Sequence, residues 1–239
     1  MTRILHLDTS PRPGRAGSQV HGSHTRRLTH HFISLWQALE PKTEIIYRDL
    51  GATPPPLTSV EWIEAEFTPA EQRTEAMWQA LAESNALVDE VIQADLLVLG
   101  VPMYNFGPPA AFKAWIDNIV RIGRTVDFDL QQGAHPYVPL EHYAPRLADR
   151  PRHAVLLSSR GGFGFDPQGP LSAFNHLEPS ARTALQFIGI GGFHSIAIEH
   201  QEVGGEPLAA STKSALERID RLVEQLQANM ATPGMPLPA

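Results

Sequence analysis

The sequence predicts an α/β chain with a doubly wound, five-stranded parallel sheet and helices on both faces. Two observations predict it. Short apolar runs alternate with amphipathic segments of ten or more residues, the pattern of repeated βαβ units. The apolar runs are continuous, as in Leu96-Leu97-Val98-Leu99, which implies burial on both faces of a parallel sheet. A length of 239 residues suits this architecture as a single domain, expected over 1–230, with 231–239 as a loose, proline-rich tail.

The elements follow in order. Residues 3–7 form the first strand and run into Asp8-Thr9-Ser10-Pro11. A loop rich in Gly, Pro, Arg and Ser follows. A helix starts near Thr25, with Leu28, Phe32, Leu35, Trp36 and Leu39 at helical spacing, and stops at Pro41. Residues 43–47 form a second strand, and Pro54-Pro55-Pro56 makes 51–59 irregular. Thr68-Pro69-Ala70-Glu71 reads as a capping box opening a helix that runs to about Gln93. Residues 95–101 are the strongest strand. Pro109 opens a helix with Phe112, Trp115, Ile116, Ile119 and Val120 on one face. A fourth strand is expected at 154–157, a helix at 179–188, a fifth strand at 193–198 and a last helix at 208–226. Trp36, Trp78 and Trp115 fall in helical patterns and are expected in the core or an interface.

Composition excludes several functions. Lys plus Arg number 19 and Asp plus Glu 26, so 19 − 26 gives −7, which argues against broad nucleic-acid or anionic-membrane binding. There are no cysteines, hence no disulfides, thiolate metal sites or Cys nucleophiles. No apolar run is long enough for a signal peptide or a membrane span, and a cytoplasmic protein is expected. The nucleotide-triphosphate loop, the G-x-G-x-x-G fingerprint, the G-x-S-x-G elbow and the H-E-x-x-H zinc motif are all missing.

Doubly wound sheets bind ligands beyond the C-terminal ends of their strands. Three loops leave those ends here. The first carries Ser10 and then Ser23-His24-Thr25 at a helix start, where hydroxyls and free N–H groups suit a phosphate, although Ser23 or Thr25 can equally be a plain cap. The second, Pro102-Met103-Tyr104-Asn105-Phe106, offers flat apolar surface and main-chain polar groups for a planar heterocycle, or else packs under the next helix. The third, Ser159-Arg160-Gly161-Gly162, has paired glycines that permit positive φ and close approach, or simply form a turn.

Those residues, with Pro109, Lys113, Asp117, Arg121, Gly123 and Thr125, resemble the FMN-dependent NADH azoreductases, also called FMN-dependent NADH:quinone oxidoreductases. The resemblance spans the chain from the first strand to the last helix. It implies a flavodoxin-like fold and bound FMN. Ser10 and Ser23-His24-Thr25 would hold the phosphate. Pro102 to Phe106 would run along the isoalloxazine, with the main chain of Asn105 near its N5/O4 edge. Ser159 to Gly162 would contact its pyrimidine side. It further implies NADH or NADPH as electron donor, quinones or azo compounds as acceptors, and a homodimer with the active site at the interface. No side chain is expected to act as an obligate acid or base, and the kinetics are expected to be ping-pong. The chain departs from the family at Phe128, where a tyrosine is usual. It also departs in a longer 11–22 and in a longer 129–153 carrying Tyr137, His142 and Tyr143. Two other readings compete. One is an FMN-binding electron carrier without reductase turnover. The other is a metal-dependent hydrolase built on His21, His24, His30 and His31.

Overall fold

The computed structural model describes residues 1–131 and 141–231. Strands β1 (Arg3–Asp8), β2 (Glu44–Asp49), β3 (Leu96–Gly100), β6 (His153–Ser159) and β7 (Gly192–Ile198) form a wholly parallel sheet in the order β2-β1-β3-β6-β7. The chain steps outward from β1 to β2, then crosses back to place β3 on the other side of β1. That reversal is the switch point at which such sheets open a crevice. Register sets Asp8 beside Gly100 and Gly100 beside Leu157, so the loops after β1, β3 and β6 emerge together at this crevice.

Alternate side chains of each strand point into two separate cores. On one face Ile4, Val98 and Leu157 pack against Leu28, Phe32 and Trp36 of α1 (His24–Leu39) and Ile219 and Val223 of α7 (Gly205–Ala231). On the other, Leu5, Leu97 and Leu156 meet α4 (Ala82–Gln93), α5 (Ala110–Ile119) and α6 (Glu178–Phe187), with Trp115 of α5 fully buried. Each buried leucine-sized side chain contributes roughly 1.5–3 kcal/mol. Among the described residues no helix is long and apolar enough to cross a membrane.

The helix expected over 68–93 is divided. The chain forms α2 (Val60–Phe67), capped by Ser59, then a single 3-10 turn, then α3 (Glu75–Ala80), capped by Thr74, and α4. Thr68 ends α2 instead of opening a helix, its hydroxyl donating to the Glu64 carbonyl at 2.6 Å. The Arg73 guanidinium closes that end by donating to the carbonyls of Ala65, Glu66 and Thr68. A side chain eight residues away thus overrides the local capping pattern. Trp78 lies on the surface at 40 % exposure, with Arg73 5.1 Å from its ring centroid, because α3 turns only Met77 and Ala80 toward Trp62 and Leu81.

Strands β4 (Val126–Phe128) and β5 (Tyr143–Pro145) make a small antiparallel pair inside the long stretch before β6. Three residues per strand are too few for an alternation to show in sequence. Tyr137 lies outside the described residues. Helix α7 runs through Ala231, and the rest of the expected tail, 232–239, lies outside the described residues.

Candidate functional site

The first loop closes on the start of α1. Ser23 is the N-cap, its Oγ accepting from the Arg26 N–H at 3.3 Å. Ser23 Oγ also lies 2.9 Å from Thr25 Oγ1, so one hydroxyl hydrogen of this pair is left for a ligand. Ser10 Oγ accepts from the Arg12 N–H at 3.3 Å, which leaves its own hydrogen to donate. The N–H groups of His24 and Thr25 belong to the unpaired first turn of α1 and have no acceptor among the described residues. Ser10, Ser23 and Thr25 are all buried. The result is a concave set of donors at the positive end of a helix. The His24 side chain takes a different course. It lines a cavity of about 440 Å³ between α1 and α7 with Arg27 and Lys213. Burial, then the guanidinium groups of Arg27 and Arg12, hold its pKa below the ordinary histidine value.

Beneath the loop sits a charged group that the sequence did not flag. Arg26 donates to Asp49 at 2.6 Å, to the Tyr47 hydroxyl at 2.9 Å and to Asp8 at 3.5 Å. Asp8 also accepts from Thr29 Oγ1 at 2.9 Å. Gly100 faces this carboxylate across the sheet. A Cβ there would stand 2.4 Å from Asp8 Oδ1, so only glycine fits. Burial and then the Asp8 charge push the Tyr47 phenol up to about 12. Burial opposes the charge on Asp49, but the Arg26 hydrogen bond and charge together with the N–H groups of Ala52 and Gly51 outweigh it and leave the carboxyl below its usual range. The only trace of this network in sequence is a strand ending in Asp and an arginine three residues after the helix cap.

The second loop is a tight two-residue turn. Tyr104 and Gly107 exchange both main-chain hydrogen bonds, at 2.9 and 3.0 Å. Asn105 (φ 48°) and Phe106 (φ 70°) between them are both left-handed. That is the type I′ pattern, and a bulky residue such as Phe pays conformational strain to adopt it. Three anchors hold the turn: Met103 N–H donates to Ser159 O, His176 N–H donates to Phe106 O, and the Phe106 ring lies 6.0 Å from Phe174 and 6.4 Å from Phe165. The N–H groups of Asn105 and Phe106 find no acceptor among the described residues. Tyr104 and Phe106 are half exposed, and Pro102 is buried behind them.

The third loop is built on Arg160. Its buried guanidinium pairs with Asp166 at 2.7 Å, Glu178 at 2.6 Å and Glu199 at 3.0 Å, which pins β6, α6 and the segment after β7 together. Its main chain is engaged as well, the Arg160 N–H donating to the Ile198 carbonyl at 2.8 Å and its own carbonyl accepting from the Gln201 N–H at 3.1 Å, so Arg160 is scaffold for the glycines that follow. Neither glycine of the Gly161-Gly162 pair adopts positive φ; that conformation falls at Gly164 (φ 82°). Gly161 instead lets the exposed Glu202 side chain lie against the loop, where a Cβ would stand 2.5 Å from its Oε1. The Gly161 and Gly162 carbonyls accept from Glu202 and His200, while their N–H groups have no acceptor among the described residues. Phe163 stacks on His200 at 4.7 Å and is half exposed.

Other residues singled out in sequence fall around this centre. Arg121, Gly123 and Thr125 form the turn before β4, held by a buried ion pair of Arg121 with Glu66. Lys113 and Asp117 pair along the exposed side of α5. Phe128 packs on Tyr143, opposite it in the β4–β5 register, so a phenol returns from the neighbouring strand. His31 pairs with Asp220 and His30 with Ser34, and among the described residues no three His, Asp or Glu side chains gather as metal ligands.

The site as a whole combines a donor-rich cradle with two main-chain edges and half-exposed aromatic rings. A ligand with a phosphate at one end and a flat, polar-edged ring at the other matches this set of groups. In fold the chain is a doubly wound α/β protein whose donor-rich loops gather at its switch point. The family model for the flavodoxin-like fold matches residues 2–223. The chain is 38% identical over 226 residues to "FMN-dependent NADH:quinone oxidoreductase 2" of Colwellia psychrerythraea, covering 95% of this chain and 100% of that one. It is 40% identical over 220 residues to "FMN-dependent NAD(P)H:quinone oxidoreductase 1" of Pseudomonas aeruginosa, covering 92% and 97%. An azoreductase structure from Bacillus anthracis superposes with a TM-score of 0.77 at 21% identity, covering 94% and 100%, which shows the shared fold. The chain therefore belongs to the flavodoxin-like family, among the FMN-dependent NADH:quinone oxidoreductases.

Proposed function

We propose that this protein is an FMN-dependent NAD(P)H oxidoreductase that reduces quinones, azo compounds or both. The observation that carries the reading is the convergence of unpaired donors from three loops at adjoining strand ends, beside exposed aromatic rings. In this reading Ser10, Ser23, Thr25 and the N–H groups of His24 and Thr25 hold the FMN phosphate. Pro102 to Phe106 lie along the ring, and Ser159 to Gly162 meet its pyrimidine edge. Bound FMN would supply the two-electron hydride chemistry between NADH or NADPH and the acceptor, while the side chains would hold and orient it. The N–H groups of Asn105 and Gly161 serve as preorganised dipoles for negative charge near them. The rings of Tyr104, Phe106 and Phe163 offer flat surface on which donor and acceptor stack in turn. Relatives named as quinone oxidoreductases support the acceptor class.

A second copy of the chain completes the site in this reading. An apolar groove of about 570 Å³ runs between α5 and α6, lined by Pro108, Phe112, Ile116, Val120, Ala184 and Phe187. It begins one residue beyond the Tyr104–Gly107 turn, so a partner seated there would adjoin the ring-binding loops. The protein is read as cytoplasmic. Steady-state NADH oxidation with a quinone tests the whole: parallel double-reciprocal lines are expected, because donor and acceptor share one surface. Intersecting lines, or protein that stays colourless after FMN is added, overturn it.

A further inference from the structure

We propose that Arg26 is the positioning residue that makes the cradle selective for a phosphate, acting from behind the loop without touching the ligand. The inference rests on the reading of that cradle as the FMN site. An arginine side chain has five N–H donors. In this structure five acceptors meet them: the carbonyls of Ser10 (2.8 Å) and Arg12 (2.9 Å), the Tyr47 hydroxyl (2.9 Å), Asp49 (2.6 Å) and Asp8 (3.5 Å). None is left for a ligand. The charge is also spent, since two carboxylates face one guanidinium. Arg26 therefore acts by geometry.

The two carbonyls it grips are unusual. Ser10 precedes Pro11 and Arg12 precedes Pro13, so neither peptide unit has an N–H group. Such a unit can offer a phosphate only a lone pair, which repels it. Turning both carbonyls inward onto Arg26 removes that repulsion from the cradle. It also sets the Arg12 N–H against Ser10 Oγ, which directs the serine hydrogen to a ligand. The arrangement extends to the turn after β2, because Gly51 is needed where a Cβ would stand 2.1 Å from the Ser10 carbonyl oxygen. The backbone N–H of Arg26 is meanwhile capped by Ser23. One residue thus fixes both sides of the cradle. A lysine retains the charge but has three donors on one point, and cannot span Ser10, Arg12 and Asp49 together.

The test compares FMN with riboflavin, which lacks the phosphate, by flavin fluorescence titration of the full chain. For Arg26→Lys the expected result is FMN affinity lower by about tenfold or more with riboflavin affinity within about twofold of wild type, the size of lost hydrogen bonds to a charged group. Asp49→Asn, which loosens the base of the grip, should lower the same ratio by a smaller factor, and it carries the test if Arg26→Lys does not fold. Equal loss for both flavins, or an unchanged FMN to riboflavin ratio in both variants, overturns the proposal. Wild-type protein that binds neither flavin overturns the FMN reading itself, and Arg26 with it.

Discussion

Asn105 and Phe106 carry the left-handed conformation on which the Tyr104–Gly107 turn depends. Proline cannot reach a positive φ and has no N–H. Asn105→Pro is therefore expected to weaken FMN binding by roughly tenfold or more in a fluorescence titration. Phe106 tests the strain directly. Its left-handed backbone disfavours any residue with a Cβ by roughly 1 kcal/mol relative to glycine. Phe106→Gly should thus be more stable than Phe106→Ala by about 1 kcal/mol in urea unfolding, reversing the usual order of those two residues. At this scale the sequence displays the residue types but not their backbone. Asn105 was legible as a loop residue, whereas the positive φ at Phe106 follows from its anchoring by His176 and Phe174. Arg160 shows the same limit. Its partner Asp166 lies six residues away and is visible in sequence, but Glu178 and Glu199 lie 18 and 39 residues away, so the full charge cluster that makes its side chain scaffold is not.

Between elements, the buried pairing of Arg121 with Glu66 joins the end of α2 to the turn after α5. Glu66 also accepts from the Ile122 N–H at 2.9 Å, and the Arg121 guanidinium lies 5.4 Å from the Trp62 ring centroid. Burial outweighs the Glu66 attraction and holds the Arg121 pKa below the ordinary arginine value. Removing the carboxylate strands a buried cation, so Glu66→Ala should cost about 3–5 kcal/mol of unfolding free energy, measured in urea. The five strands of the sheet and helices α1, α5, α6 and α7 were legible because their apolar periods are long and unbroken. The 68–74 segment was not. Its Thr-Pro-Ala-Glu pattern satisfies every local rule for a helix start, but Arg73 donates back to the carbonyls of Ala65, Glu66 and Thr68, contacts that the capping rule does not contain.

For the molecule as a whole, two imidazoles couple stability to pH. His153 and His194 stack at 5.8 Å across β6 and β7. Burial lowers the pKa of both, and His153 and Arg182 add to the effect at His194. Their folded pKa values lie below the unfolded value of about 6.5, so the unfolded chain binds more protons in that range. Stability is then full above about pH 6.5 and is lost as pH falls below it. Urea midpoints should drop between pH 7.5 and 5.5, and His194→Phe should flatten that drop. The proposed assembly is tested at the α5–α6 groove: the wild type is expected to give dimers by light scattering, and Ala184→Arg, which sets a charge on the apolar wall, is expected to give monomers.

The two faces of the sheet also bear on how the protein can be watched as it unfolds. Trp36 sits in one core and Trp115 in the other, each fully enclosed and separated by the strands. Each half of the sandwich consequently holds its own optical probe. With Trp62 and Trp78 replaced by phenylalanine, versions retaining just one of the inner indoles would reveal whether the two halves melt in a single event or one ahead of the other.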